Sequence, residues 1–459
     1  MNTLKKISTV MMGLFIVVIM SICSNTPDEI PDENGPVEGN QLTPEIPPAG
    51  MTLVWSDEFD GNTLNKNNWF TDYYSTFDFA EKSNYAKFMA GKLPQPGILF
   101  TGNSMVLVVD NKIPTEAFWG GGRKVSSIQT YDWRTNKLLF DNSLGGFIEA
   151  RIKRSRTPDA EKENATWNEK VNGAFWLDSP GPDLRYFVEK GDYAYDVSGI
   201  RPHGQVFEID LCELLTTEIV LHDHISITPE GKYERQNMGH YSLLGESECR
   251  NKWVTHSMLW SPAGLKFYID GQLKINLWNP HDIKSPNHAM NILLGLYGNS
   301  FGTATMEVDY IRFYQWKLDG KNELPNPGFE YHDALFPWEG KGTVASSAAR
   351  TGKYGVELAA GESITQLVFL DHSHSYSMKF WVKGNGKADA GVENITQVTG
   401  SAEDRTGSVF NAGNEFTQHE ILFSTNPEPE NHKRTVKVTF KNTGSSAVAI
   451  DDITIEKVN

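Results

Sequence analysis

Cysteine is scarce, with three in 459 residues. That excludes a disulfide-stapled scaffold and leaves only Cys212 and Cys249 outside the N-terminal segment. For that pair, one disulfide and two buried free thiols are both open. Positive charge is also short. Lys and Arg number 42 against 58 Asp and Glu, a net charge of −16, and the acids are scattered rather than gathered in a tail. No basic face is on offer, so a nucleic-acid partner is excluded. No Gly-rich phosphate loop of the usual patterns occurs, no repeat recurs at a fixed short period, and helical periodicity is nearly absent. What the chain does have is apolar and aromatic mass: 39 % hydrophobic residues, 12 Trp and 24 Phe. Its length calls for two or three domains with real cores.

The first 23 residues, "MNTLKKISTVMMGLFIVVIMSIC", place Lys5 and Lys6 ahead of a short apolar run and end on Cys23. The run is short for a membrane span and has the layout of a secretory signal. It resembles a bacterial lipoprotein signal, which implies lipidation of Cys23, export, and anchoring at the outer membrane or cell surface. A plain cleaved signal or an N-terminal anchor is the alternative. Residues 24–50 are Pro-rich, acidic and nearly free of large apolar side chains, the composition of a flexible tether.

From Met51 the texture changes to short alternating segments separated by Gly, Asn and Pro: "SMVLVVD", "GGFIEARIKRS", "GLKFYIDGQLKINLW", "TMEVDYIRFYQW". Each reads as a strand with one wet and one dry face. Residues 51–318 predict one large β-sandwich, and residues 321–459, with "GVELAAG", "SYSMKFWVKG", "RTVKVTFKN" and "VAIDDITIEKV", a smaller one. The fold class is all-β.

The chemistry concentrates in "GQVFEIDLCELL", residues 204–215. Apolar neighbours make this a strand buried on at least one side, where carboxylates are costly unless they work or are paired. Glu208 and Asp210 share a face. Glu213, five residues on from Glu208, falls on the other face of a regular strand. A β-bulge at Leu211–Cys212 brings it back. Three carboxylates then line one face, spaced about 6.6 Å per step at the backbone. That suits retaining glycoside hydrolysis, in which a nucleophile and an acid/base stand about 5–5.5 Å apart. The Asp between them raises a neighbour's pKa by repulsion and positions the other by hydrogen bonding. An exposed edge strand with charged gatekeepers is the plainer alternative; the apolar flanks speak against it.

"EIDLCE" resembles the Glu-x-Asp-x-x-Glu signature of glycoside hydrolase family 16, in the bulged branch. "WSDEFDG" (55–61), "SSIQT" (126–130), "GGFIEARIK" (145–153), "GAFWLD" (173–178), "WVTHSMLWSPAGLKFYIDGQ" (253–272) and "MEVDYIRFYQW" (306–316) follow in that family's order. The resemblance implies a concanavalin-like β-jelly-roll with a concave cleft, a retaining endo-β-glycanase, Glu208 as nucleophile, Asp210 as assisting acid and Glu213 as acid/base. It implies no cofactor for catalysis. It does imply a structural Ca²⁺ on the convex side, for which Glu58 and Asp309 are the matching oxygen donors, with a surface or core hydrogen-bonded acid as the alternative for each. The expected partner is a polysaccharide bound by a monomer. The approach "IRPHGQVF" departs from the Trp-Pro-x-x-Gly of laminarin-type members, which points to a galactan such as agar, porphyran, carrageenan or a host galactose-rich glycan. A β-1,3-glucan is the alternative, and a non-catalytic glycan-binding lipoprotein is the rival of another class.

Sugar rings present C–H faces, so Trp and Tyr are the platform candidates. Trp176 matches a cleft position of the family; Tyr131, Trp133, Phe118 and Trp119 lie in promising turns, with core packing as the alternative for each. Trp253 and Trp260 read as core. His222 and His224 follow the catalytic strand where the family supplies sugar contacts; a metal or a purely structural role are the other options. Arg123, Lys124, Arg134 and Arg185 are candidate cations for a sulfated substrate, or simply solvated. The C-terminal region, from "LPNPGFE", looks like a carbohydrate-binding module. Trp338 and Trp381 there are platforms or core, Glu330 and Asp452 are calcium candidates, and a ligand-free spacer is the alternative.

Overall fold

The computed structural model describes residues 46–71, 90–92, 94–118, 121–132, 135, 137–161, 164–165, 170–179, 205–214, 221–227, 233–279, 285–298, 302–318, 321–331, 335–396, 400–428 and 432–458. Among the described residues strand is the dominant secondary structure, and helix is confined to short turns. The first sandwich contains β1 (Met51–Asp57), β2 (Gly97–Phe100), β3 (Met105–Val109), β4 (Glu116–Phe118), β5 (Gly121–Gln129), β6 (Tyr131–Asp132) and β7 (Lys137–Leu138). It continues with β8 (Gly146–Arg156), β9 (Asn172–Asp178), β10 (Gln205–Cys212), β11 (Leu221–Ile227) and β12 (Tyr233–His240). It closes with β13 (Trp253–Ser261), β14 (Gly264–Ile269), β15 (Gln272–Trp278), β16 (Asn291–Gly298) and β17 (Ala304–Trp316).

Two large sheets are formed. One runs β15-β14-β13-β8-β17-β3-β2 with β1 added along β17; the other runs β12-β11-β10-β9-β16-β5-β4. Alternation explains the packing. β3 buries Met105, Leu107 and Val109, and β8 buries Ile148, Ala150 and Ile152. β17 buries Ala304, Met306 and Val308, then changes phase to Ile311 and Phe313. The change falls where its pairing with β8 slips between Val308 and Tyr310, leaving Asp309 as the extra residue of a bulge. Facing these, Phe175, Leu177, Ile209, Ile292, Leu294, Leu296 and Ile128 complete one apolar core between the sheets. This is the jelly-roll-like sandwich that the alternating segments predict.

The second sandwich has strands β18 (Glu339–Gly340), β19 (Thr343–Ala345), β20 (Gly355–Leu358), β21 (Ser363–Asp371) and β22 (Ser375–Gly384). β23 (Lys387–Ile395), β24 (Ala402–Asn411), β25 (Thr417–Ser424), β26 (Lys433–Asn442) and β27 (Val448–Lys457) follow. Its sheets, β18-β21-β26-β23-β24 and β19-β20-β27-β22-β25, enclose a separate core that includes Phe329, Trp338, Tyr376, Phe380 and Phe440. The two sandwiches touch. Ile46, Met51 and Phe336 pack with Trp278 and Tyr314 against Phe147, Leu259 and Tyr268. The rings of His288 and His432 lie 4.3 Å apart. The tether expectation of residues 24–50 is corrected at its end: Ile46 joins this cluster, Pro48 is buried, and Gly50 lies under the Tyr331 ring, where a Cβ would clash. Among the described residues no helix is long and apolar enough to cross a membrane.

Candidate active site

β10 lies between β9 and β11 in the second sheet of the first sandwich. Against β9, Glu208 pairs with Asp178, Ile209 with Leu177, and Asp210 with Trp176. The next pair is Cys212 with Phe175, so Leu211 is an extra residue. A bulge therefore stands where the acid spacing predicts one. Leu211 and Cys212 are both buried in the core, two inward residues in a row. The phase beyond them is reversed, and Glu213 emerges on the outer face with Asp210.

Three hydrogen bonds fix that turn. The Asn172 amide Nδ2 donates to Glu213 Oε1 at 2.9 Å. Its Oδ1 accepts the Leu214 N–H at 2.7 Å. The Leu214 carbonyl accepts from Arg154 Nη1 at 2.8 Å. Leu214 itself has a left-handed backbone, φ +57°, a conformation that a residue with a Cβ adopts at a cost.

Asp210 is 5 % exposed. Its carboxyl is held well above the usual carboxylate range, first by burial, then by the negative charges of Glu208 and Glu213, with smaller contributions from Cys212 and Asp178. Three carboxyls and a fourth, Asp178, thus share one neighbourhood. Burial and like charge therefore both favour the neutral form of the central carboxyl.

The outer face beside these acids has an apolar floor. Trp176, Ala174, Leu293 and Tyr297 pack together with Val125, on the side of the sheet away from the main core. Trp176 is opposite both Asp210 and Leu293, and only 7 % exposed. A polar rim of buried side chains continues from it. Asn291 stands opposite Asp178, and its Oδ1 accepts from the Thr130 backbone N–H at 3.1 Å and the Thr130 hydroxyl at 3.3 Å. Ser179 Oγ lies 2.7 Å from His288 Nε2. The arrangement offers clustered carboxyls, the central one with a raised pKa, over an aromatic base in a polar setting. That combination suits acid/base chemistry on a hydroxyl-rich substrate.

No family model matches the chain. The chain is similar to glucan endo-1,3-beta-glucosidase A1 of Niallia circulans, 22 % identical over 321 residues, which are 62 % of this chain and 41 % of that protein. It therefore spans less than half the length of that relative. Among solved structures, a GlcNAcα1-4Gal-releasing endo-β-galactosidase from Clostridium perfringens is aligned over 72 % of this chain and 92 % of its own, at 14 % identity and a TM-score of 0.38. The laminarinase catalytic domain from Thermotoga maritima MSB8 is aligned over 58 % of this chain and 99 % of its own, at 15 % identity and a TM-score of 0.33.

Several expected site residues turn out differently. Across from Glu208 on β11 is Asp223; His222 and His224 are opposite Ile209 and Phe207. The side chains of His222, Asp223 and His224 lie outside what is described. Tyr131 is 6 % exposed, not an open platform. Lys124 is corrected to a structural tie: its Nζ donates to the carbonyls of Asp110 and Ile113 at 2.6 and 2.8 Å. Trp253 is not core but half-buried beneath the cations of Arg151 and Lys153, whereas Trp260 is core. Cys212 and Cys249 are buried free thiols. Cys23, Trp119, Trp133, Arg134 and Arg185 lie outside the described residues, as do the side chains of Phe118 and Arg123.

The two calcium candidates are engaged by arginines. Both oxygens of Glu58 are taken by Arg312, at 3.0 Å from Nε and 2.7 Å from Nη2, and Asp309 is bound by Arg151 at 2.6 Å. The fork lowers the Glu58 pKa chiefly through its hydrogen bond, as a charge-assisted bidentate pair does. Arranged this way, the two carboxylates do not fit Ca²⁺. In the second sandwich Glu330 accepts the Lys353 and Tyr354 amides, and Asp452 binds Arg350 at 2.6 Å. Trp338 is core, and Trp381 is covered by the Arg350 guanidinium at 3.6 Å. Among the described residues no group of three or more His, Cys, Asp or Glu is arranged to hold a metal.

Sequence reasoning missed Asn172, Asp178 and Arg154. Asp178 was within reach, since alternation from Trp176 puts 172, 174 and 178 on the same face.

Proposed function

We propose that the chain is a retaining endo-β-glycanase, with Glu208 as nucleophile, Glu213 as acid/base and Asp210 as the neutral assisting acid. The observation that carries this reading is the bulge at Leu211, which returns Glu213 to the face of Glu208 and Asp210. In the first step Glu208 attacks the anomeric carbon while Glu213 protonates the departing glycosidic oxygen, leaving a glycosyl-enzyme ester. In the second, Glu213 takes a proton from water, which displaces Glu208 and releases a product of retained configuration. Protonated Asp210 donates a hydrogen bond that spreads the returning charge of Glu208. The relative from Niallia circulans, a glucan endo-1,3-beta-glucosidase, supports glycan hydrolysis as the reaction class.

We read the substrate as a β-linked galactan, on the strength of the departure of "IRPHGQVF" from the laminarin-type approach. A β-1,3-glucan is the second reading, and the same relative favours it. The second sandwich is proposed as a glycan-binding module, Cys23 as a lipid attachment point, and the cell surface as the location. Glu208→Gln and Glu213→Gln should each abolish polysaccharide turnover while the protein remains folded. A polysaccharide panel, with NMR of the first-formed anomer, identifies both substrate and stereochemistry. Near-wild-type rates in either variant, or an inverted product, reject the assignment.

A further inference from the structure

β8 sends Ile148, Ala150, Ile152 and Arg154 toward the core in one alternating series. The fourth of these is a cation, and it is 1 % exposed. A charge so placed is expensive unless its donors are used. Among the described residues Arg154 pairs with no carboxylate. Its Nη1 instead crosses to the other sheet and donates to the carbonyls of Leu214 (2.8 Å) and Gly173 (3.3 Å). Gly173 eases the approach, because a Cβ there would stand 3.2 Å from Arg154 Cδ and the side chain would have to shift slightly. Leu214 is held at its other backbone group by Asn172, and the same Asn172 amide binds the Glu213 carboxylate. The residue after the acid/base is therefore gripped at both its N–H and its C=O. It needs gripping, because its backbone is left-handed without being glycine.

We infer that Asn172 and Arg154 are positioning residues for Glu213: they lock the bulged turn from its two sides and aim the carboxyl that protonates the leaving group. The inference rests on the glycanase reading above. It separates these two residues from mere stability elements because it predicts a loss confined to proton delivery. Breaking a bond to a sugar oxygen needs a proton; expelling a dinitrophenolate does not.

The experiment compares kcat/KM of the full chain on the polysaccharide and on a dinitrophenyl β-glycoside of the oligosaccharide it releases. For Asn172→Ala the expected loss is about 100-fold or more on the polysaccharide and under about tenfold on the aryl glycoside. Arg154→Lys, which keeps the charge and one donor, should show the same selectivity at smaller size. Thermal melting checks the fold. If Asn172→Ala does not fold, Asn172→Asp takes its place, being isosteric and still able to accept from the Leu214 N–H. Equal losses on both substrates, or less than threefold on the polysaccharide, overturn the inference while leaving the glycanase reading intact. A wild-type chain that cleaves neither substrate overturns the glycanase reading and the inference with it.

Discussion

Replacing Asp210 by Asn should make the protein more stable at neutral pH and flatten its stability–pH curve. In the native chain burial, then Glu208 and Glu213, hold the Asp210 carboxyl well above its ordinary value. Unfolded, it titrates near 3.9. Between these two values the native state keeps a proton that the unfolded state has released. The unfolded state then binds fewer protons, so stability falls as pH rises, starting above about pH 4. The slope for one proton is about 1.4 kcal/mol per pH unit. The loss accumulates over the whole window in which only the native state keeps the proton. The amide of Asn occupies the same volume and carries no charge at any pH, so this contribution disappears. Urea unfolding followed by tryptophan fluorescence at pH 4 to 8, wild type beside Asp210→Asn, measures it. The two curves should diverge with rising pH. Parallel curves would mean that Asp210 is ionised in the native state, and the account of a neutral carboxyl between two charged ones would be wrong.

Two further outcomes follow from burial. Cys212 and Cys249 are buried free thiols, and burial pushes the Cys212 thiol up, so a disulfide-exchange reagent should titrate them only after denaturation; rapid native reactivity of either refutes their placement in the core. Trp338 packs between Phe329 and Phe440 and donates from Nε1 to the Asn326 carbonyl at 3.1 Å, so Trp338→Ala should cost about 3–5 kcal/mol and lower the melting of the second sandwich; unchanged melting with lost glycan retention would restore it as a sugar platform.

What the sequence disclosed depended on whether a signal was local. The bulge was legible because it is written in spacing: three acids at 208, 210 and 213 cannot share a face of a regular strand. The strands of β3, β8 and β17 were legible from alternation. For the histidines the sequence leaves more open. Alternation shows that 222 and 224 share a face, but which face depends on the register with β10, a non-local fact. Arg154 was hidden by its residue type, since an arginine two residues past an apolar series reads as the strand emerging into water. Glu58 looked like a free oxygen donor because its partner, Arg312, is 254 residues away.

The bulge solves a placement problem for two residues at once. On a regular strand Cys212 would follow Asp210 to the outer face and Glu213 would enter the core. The extra Leu211 exchanges them, so that a small thiol is buried and a carboxylate is delivered beside its neighbours. The exchange is not free: it ends in a left-handed Leu214, a conformation worth about 1–3 kcal/mol of strain. Asn172 and Arg154 supply bonds of about the right size to hold it, one neutral at roughly 1 kcal/mol and one charge-assisted at roughly 2. Strain and restraint therefore sit on the same residue, next to the carboxyl proposed to move the proton.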